Sequence, residues 1–155
     1  MKYSTKTSII TAILIFSCLS IVIGQGRNEI INLMELYGAN YGDENYSFEF
    51  VETKIHPALD QLEKIVCAKR DTELLDCFLE MLLDTQGSAD ETPSDILAAV
   101  FICQTDVVEA RLAAIGTEDY LIGVLEFGFE NTTYNREDEF ENYKDLRNRI
   151  DKLLK

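Results

Sequence analysis

Between Leu59 and Leu82 the apolar residues change phase. Leu59, Leu62 and Val66, with Ala58 and Ile65 beside them, gather on one face of a helix wound at about 100° per residue. Leu74, Leu75, Phe78, Leu79 and Leu82 form a second stripe. Carried through Asp71 without a break, a single helix would place the second stripe about half a turn from the first. One amphipathic helix buries one face, not two opposed ones. The phase shift therefore predicts a break near Arg70-Asp71-Thr72, with Asp71 capping a new helix. Segments 57–70 and 71–84 then fold back as a helical hairpin, and Pro57 suits the first turn of the first arm.

The rest of the chain is also patterned for helices. Ile30, Ile31, Leu33, Met34 and Tyr37 recur at helical spacing over 27–38, and Gly38 with Asn40-Tyr41-Gly42-Asp43 ends the run. Residues 46–52 fit either an extended segment or a short helical turn. Residues 85–92 read as a loop. Thr92, Pro93 and Asp95 open a long helix over 93–115, which Gly116 stops. A further helix over 118–129 is apolar nearly all round, through Leu121, Ile122, Val124, Leu125, Phe127 and Phe129. Residues 131–134 then read as a loop, and Asn135 with Asp138 caps a last helix carrying Phe140, Tyr143, Leu146, Ile150 and Leu153. The expectation is an all-α fold: a compact, single-domain bundle of five to six helices.

The amino terminus sets the compartment. Lys2 and Lys6 precede an apolar stretch from Ile9 to Ile23, and Val22 and Gly24 are small enough to flank a cleavage point before Gln25. The run is shorter than the roughly 20 apolar residues of a membrane span. Residues 1–24 are thus expected to be a secretory signal and 25–155 the mature helical domain, secreted and without a membrane anchor. Loss of Lys2 and Lys6 takes the formal net charge from −14 to −16. Such a surface repels phosphate backbones and anionic lipid, which excludes nucleic acid as a partner class. Asn45-Tyr46-Ser47 and Asn131-Thr132-Thr133 are acceptors for N-glycosylation in a secreted chain.

Cys18 leaves with the signal, so Cys67, Cys77 and Cys103 remain. In an oxidising compartment three cysteines give one disulfide and one thiol. Ten residues of unbroken helix would separate Cys67 and Cys77 by about 15 Å, too far for a bond that needs α-carbons within about 7 Å. Across a helical hairpin the two can meet, and both lie off their apolar stripes. Cys67–Cys77 is therefore the expected staple. Cys77–Cys103 is the competing bond, because the loop at 85–92 also folds its flanking helices antiparallel. Cys67–Cys103 or an intermolecular bond completes the set. Cys103 lies in an apolar row with Ile96, Val100 and Val107, and is expected to be the buried free thiol.

Little in the chain points to catalysis. His56 is the only histidine, and no Gly-x-Ser-x-Gly motif is present. The cysteines lack the paired spacing of a zinc site. Asp43-Glu44-Asn45 and Glu137-Asp138-Glu139 do not match a calcium loop. No cofactor is expected. What remains is apolar surplus: Leu121, Ile122, Leu125 and Phe129, with Tyr37, Phe101 and Val108, could line a cavity. The expected function is a non-enzymatic, secreted, acidic protein holding a small hydrophobic ligand within its helix bundle. The alternative is a secreted factor that engages an extracellular protein through a surface patch.

Overall fold

The computed structural model describes residues 26–115, 119–140 and 142–155, and the backbone alone at Asn45. The expected leader with Cys18, the expected cleavage point before Gln25 and the expected stop at Gly116 lie outside the described residues. Six helices are present among those described, and no strand. They are α1 (26–39), α2 (His56–Lys69), α3 (Thr72–Asp84), α4 (Thr92–Ile115), α5 (Asp119–Thr133) and α6 (Tyr143–Leu153).

The break that the phase shift demands is present. Arg70 takes a left-handed conformation, with φ 56°, and ends α2. Asp71 is extended, and its carboxylate accepts a hydrogen bond of 3.1 Å from the Leu74 amide at the start of α3. Each arm then buries one stripe: Leu59, Leu62 and Val66 from α2, and Leu74, Leu75, Phe78, Leu79 and Leu82 from α3. Burying a Leu or Phe side chain is worth about 1.5–3 kcal/mol, so these eight residues are a large part of the core.

Residues 46–52 resolve as helix. A 3-10 turn at Glu44–Tyr46 leads through Phe48–Phe50 and a π-helical stretch, Val51–Ile55, into α2. Pro57 has no amide hydrogen and its ring crowds the carbonyl four residues back. The widened turn just before it accommodates that ring without ending the helix.

Helices α4 and α5 form the most extensive helix pair. Phe101 and Phe129 meet edge to face at 6.4 Å between ring centres, and Phe129 stacks on Tyr143 at 5.6 Å. The backbones touch at Gly128, where an added Cβ would lie 1.9 Å from the Ser94 carbonyl oxygen. Helix α5 continues to Thr133, so Asn131 sits in its last turn and not in a loop. The chain reverses through Asn135, with φ 56°, and a 3-10 turn at Glu137–Glu139, so α6 starts later than Asn135 and Asp138 imply.

The disulfide is Cys67–Cys103, with α-carbons 5.6 Å apart, and it replaces the expected Cys67–Cys77 staple. Cys77 is the free thiol, not Cys103. Two features explain the exchange. Helix α4 is interrupted at Gln104, immediately after Cys103, where φ −139° and ψ 45° leave the helical region. Ile96, Val100 and Val107 are buried, whereas Cys103 is exposed. The Gln104 side-chain amide then donates to the Cys67 carbonyl at 2.7 Å, drawing the end of α2 to the interruption. Cys77 turns instead toward α1, with its sulfur 3.9 Å from the Ile31 carbonyl.

Arginine forks tie the outer helices to this frame. Arg27 of α1 holds Asp71 and Glu73, Arg111 of α4 holds Asp76, and Arg147 of α6 holds Glu126 and Glu130. Arg149 of α6 holds Asp106 and Glu109 of α4.

Candidate functional site

The loop between α3 and α4 and one face of α5 enclose an open groove of about 450 Å³. Its apolar wall is built from Leu82, Pro93, Tyr120, Val124 and Phe127. Each is placed by an ordinary rule of folding. Leu82 ends the buried stripe of α3, and Pro93 sits in the first turn of α4, where a missing amide hydrogen costs nothing. Tyr120, Val124 and Phe127 lie three and four residues apart, one row on α5. Phe127 remains 44% exposed at the edge of the groove.

Gly123 belongs to the same row and forms part of the floor. An added Cβ there would meet nothing within 4 Å. This is the opposite of Gly128 five residues later, whose missing side chain the helix pairing requires.

The opposite wall is a tightly tied loop. Gly87 turns the chain with φ 90°. The Ser88 amide donates to the Thr85 carbonyl at 3.0 Å, and the Asp90 amide donates to Ser88 Oγ at 3.2 Å. Asp90 Oδ1 accepts from the Thr92 amide at 3.1 Å, so Asp90 caps α4, a role that sequence spacing gives to Thr92. Asp90 Oδ2 lies 2.9 Å from His56 Nε2. The one histidine thereby joins the start of α2 to the loop, and a structural tie accounts for it. Tyr120 makes a backbone hydrogen bond with Gly87 across the groove; burial raises its phenol above the ordinary value, and that hydrogen bond acts against the rise. The phenol stays neutral at physiological pH.

The side chains expected to line a cavity are elsewhere. Tyr37, Phe101, Val108, Leu121, Leu125 and Phe129 are buried in the hydrophobic core, and Ile122 is buried too. None of the seven lines the groove. The surplus of α5 is thus spent in two ways: one side fills the core, and the row of Tyr120, Val124 and Phe127 faces the groove. Sequence periodicity marks α5 as apolar all round but cannot assign which side is covered. The one legible signal was a glycine at 123, inside an apolar helix and spaced three from Tyr120 and four from Phe127.

The two Asn-x-Ser/Thr triplets fall in helical turns. Asn45 lies in the 3-10 turn Glu44–Tyr46. Asn131 is exposed, hydrogen bonds to the Asp95 carboxylate, and is followed by Thr133, whose buried hydroxyl donates to the Phe129 carbonyl at 2.6 Å. Burial, with Glu35, Glu80 and Glu73 nearby, pushes the Cys77 thiol up to about 11, which makes it a poor nucleophile. Among the described residues no group of three His, Cys, Asp or Glu side chains could hold a metal ion, and no helix is long and apolar enough to cross a membrane. Compared with protein-family models, with curated proteins and with solved structures, the chain shows no match.

Proposed function

We propose that the chain is a non-catalytic, secreted binding protein that takes a small hydrophobic ligand in the groove between the 85–94 segment and α5. The observation that carries this reading is Gly123. A glycine inside a helix costs about 1 kcal/mol relative to alanine. Packing gives no return on that cost at position 123, because a Cβ there would meet nothing within 4 Å. The absent side chain instead keeps open a groove whose volume lies in the range of small-molecule sites. The reading places the ligand on the rim of the bundle, because the side chains expected to line an internal cavity pack against one another. The leader-like amino terminus supports secretion, and the excess of acids supports solubility.

A second reading, docking of an extracellular protein, draws on Phe48, which is 78% exposed. One experiment separates the two. The protein is titrated with Nile red, an uncharged apolar fluorophore, and the titration is repeated with Gly123→Leu. The wild type binds saturably, and the leucine fills the groove and weakens binding at least tenfold while the melting temperature holds or rises. Equal affinity in the two proteins would overturn the groove as a ligand site and leave the protein-docking reading in place.

A further inference from the structure

The groove is apolar on one wall and acidic at its rim. Asp90 and Glu91 are the ionisable carboxylates among its described lining residues, and none of those residues is basic. The described arginines at positions 27, 111, 136, 147 and 149 are all engaged with carboxylates outside the groove. A ligand entering beside Phe127 therefore meets the carboxylates of Asp90 and Glu91 and no Lys or Arg among the described lining residues.

This restricts the chemistry of the head group. A carboxylate or phosphate on an apolar tail would lie near Asp90 and Glu91 without a counter-charge, which is unfavourable in a partly desolvated site. An ammonium group reverses every sign. It meets the two carboxylates and the faces of Tyr120 and Phe127, which attract cations through the ring quadrupole. Asp90 is already held by His56 and Thr92, so its position is fixed before any ligand arrives. Glu91 is exposed at the rim, and its backbone carbonyl, not its carboxylate, serves the start of α4 through Ser94. The strongly acidic chain adds a long-range field of the same sign, which raises the local concentration of cations.

We infer that the groove selects small apolar amines: molecules with one alkyl or aromatic body for the Leu82–Pro93–Phe127 wall and one ammonium for the Asp90–Glu91 rim. The inference rests on the groove reading above, and the test keeps the two apart. Octylamine, 1-octanol and octanoate share one tail and differ in charge. Each competes with Nile red on the wild type, on Glu91→Gln, on Asp90→Asn and on Gly123→Leu, at low and at physiological salt. Octylamine should bind about five- to tenfold more tightly than octanol, and octanoate more weakly than octanol. Glu91→Gln should cut the preference for the amine by about two- to fivefold and leave octanol unchanged. Asp90→Asn, which keeps an acceptor for Thr92, should do the same. Equal binding of amine and alcohol, or tightest binding of octanoate, would overturn the charge inference while the groove reading stands. If none of the three competes, or if Gly123→Leu binds octylamine and octanol as tightly as the wild type does, both fall, because binding would then belong to the surface at large.

Discussion

Gly123 and Gly128 lie on the same helix, five residues apart, and the same mutation should move stability in opposite directions. At Gly128 an alanine Cβ would stand 1.9 Å from the Ser94 carbonyl oxygen, 2.3 Å from its carbon and 3.0 Å from the Asp95 nitrogen. All three are backbone atoms, so no side chain can rotate away. To regain ordinary contact near 3.4 Å, α5 must withdraw from α4 by about 1.5 Å, loosening Phe101 and Phe129. Overpacking of this kind costs about 1–3 kcal/mol, and immovable neighbours put it at the upper end. Alanine recovers about 1 kcal/mol of helix propensity, which leaves a net loss of about 2 kcal/mol. At Gly123 only the propensity term operates, a gain of about 0.5–1 kcal/mol. For a domain of this size a kilocalorie moves the melting temperature by about 3–4 °C. Gly128→Ala should therefore melt about 7 °C below the wild type, and Gly123→Ala about 2–4 °C above it, by circular dichroism at 222 nm. A Gly128→Ala protein that melts at or above the wild type would refute the close approach of α4 and α5 at Ser94.

Two further outcomes follow from the bonds. Non-reducing peptide mapping should recover Cys67 linked to Cys103, with Cys77 alkylated only after unfolding, since about 0.1% of a thiol raised to about 11 is ionised at pH 8; the paired Cys67→Ser, Cys103→Ser protein should lose about 4 kcal/mol in urea, the chain-entropy value for a closed loop of about 36 residues. The Arg27 hydrogen bond, opposed by burial, holds the Asp71 carboxyl below its ordinary value, so its contribution is complete above the usual carboxylate range near 3.9 and is lost as pH falls through the lower folded value. Arg27→Gln should accordingly cost about 1–2 kcal/mol in urea at pH 7, with the difference from wild type shrinking below about pH 4; a difference that is constant with pH would contradict the assignment.

The parts of this fold that sequence reveals are those governed by local rules. The break at Arg70-Asp71 follows from stripe phase and capping, both properties of a few neighbouring residues. The disulfide was not legible in the same way. Its partner choice depends on the interruption of α4 at Gln104, and no Gly or Pro marks that position. Position in the row Ile96, Val100, Cys103, Val107 gives no warning that Cys103 alone of the four is exposed, since the neighbouring helices decide which members are covered. The groove was hidden for a different reason. Tyr120, Val124 and Phe127 are indistinguishable by composition from Leu121, Leu125 and Phe129. Which row meets the core and which meets the loop at 85–94 is decided by how α5 rolls against α4. Gly128 fixes that roll, and only the assembled pair reveals it.

The interruption at Gln104 also sets where the far end of the molecule lies. Beyond it, Asp106 and Glu109 carry the fork of Arg149, so the lower half of α4 is the seat of α6. The sulfur bridge fastens the residue just before the bend to the last full turn of α2. The position of the C-terminal helix is thus referenced to α2 through one covalent joint, one bend and one guanidinium. Cleaving the joint frees the end of α2 from α4, while α6 keeps its hold on α5 through Arg147 and the Phe129–Tyr143 stack.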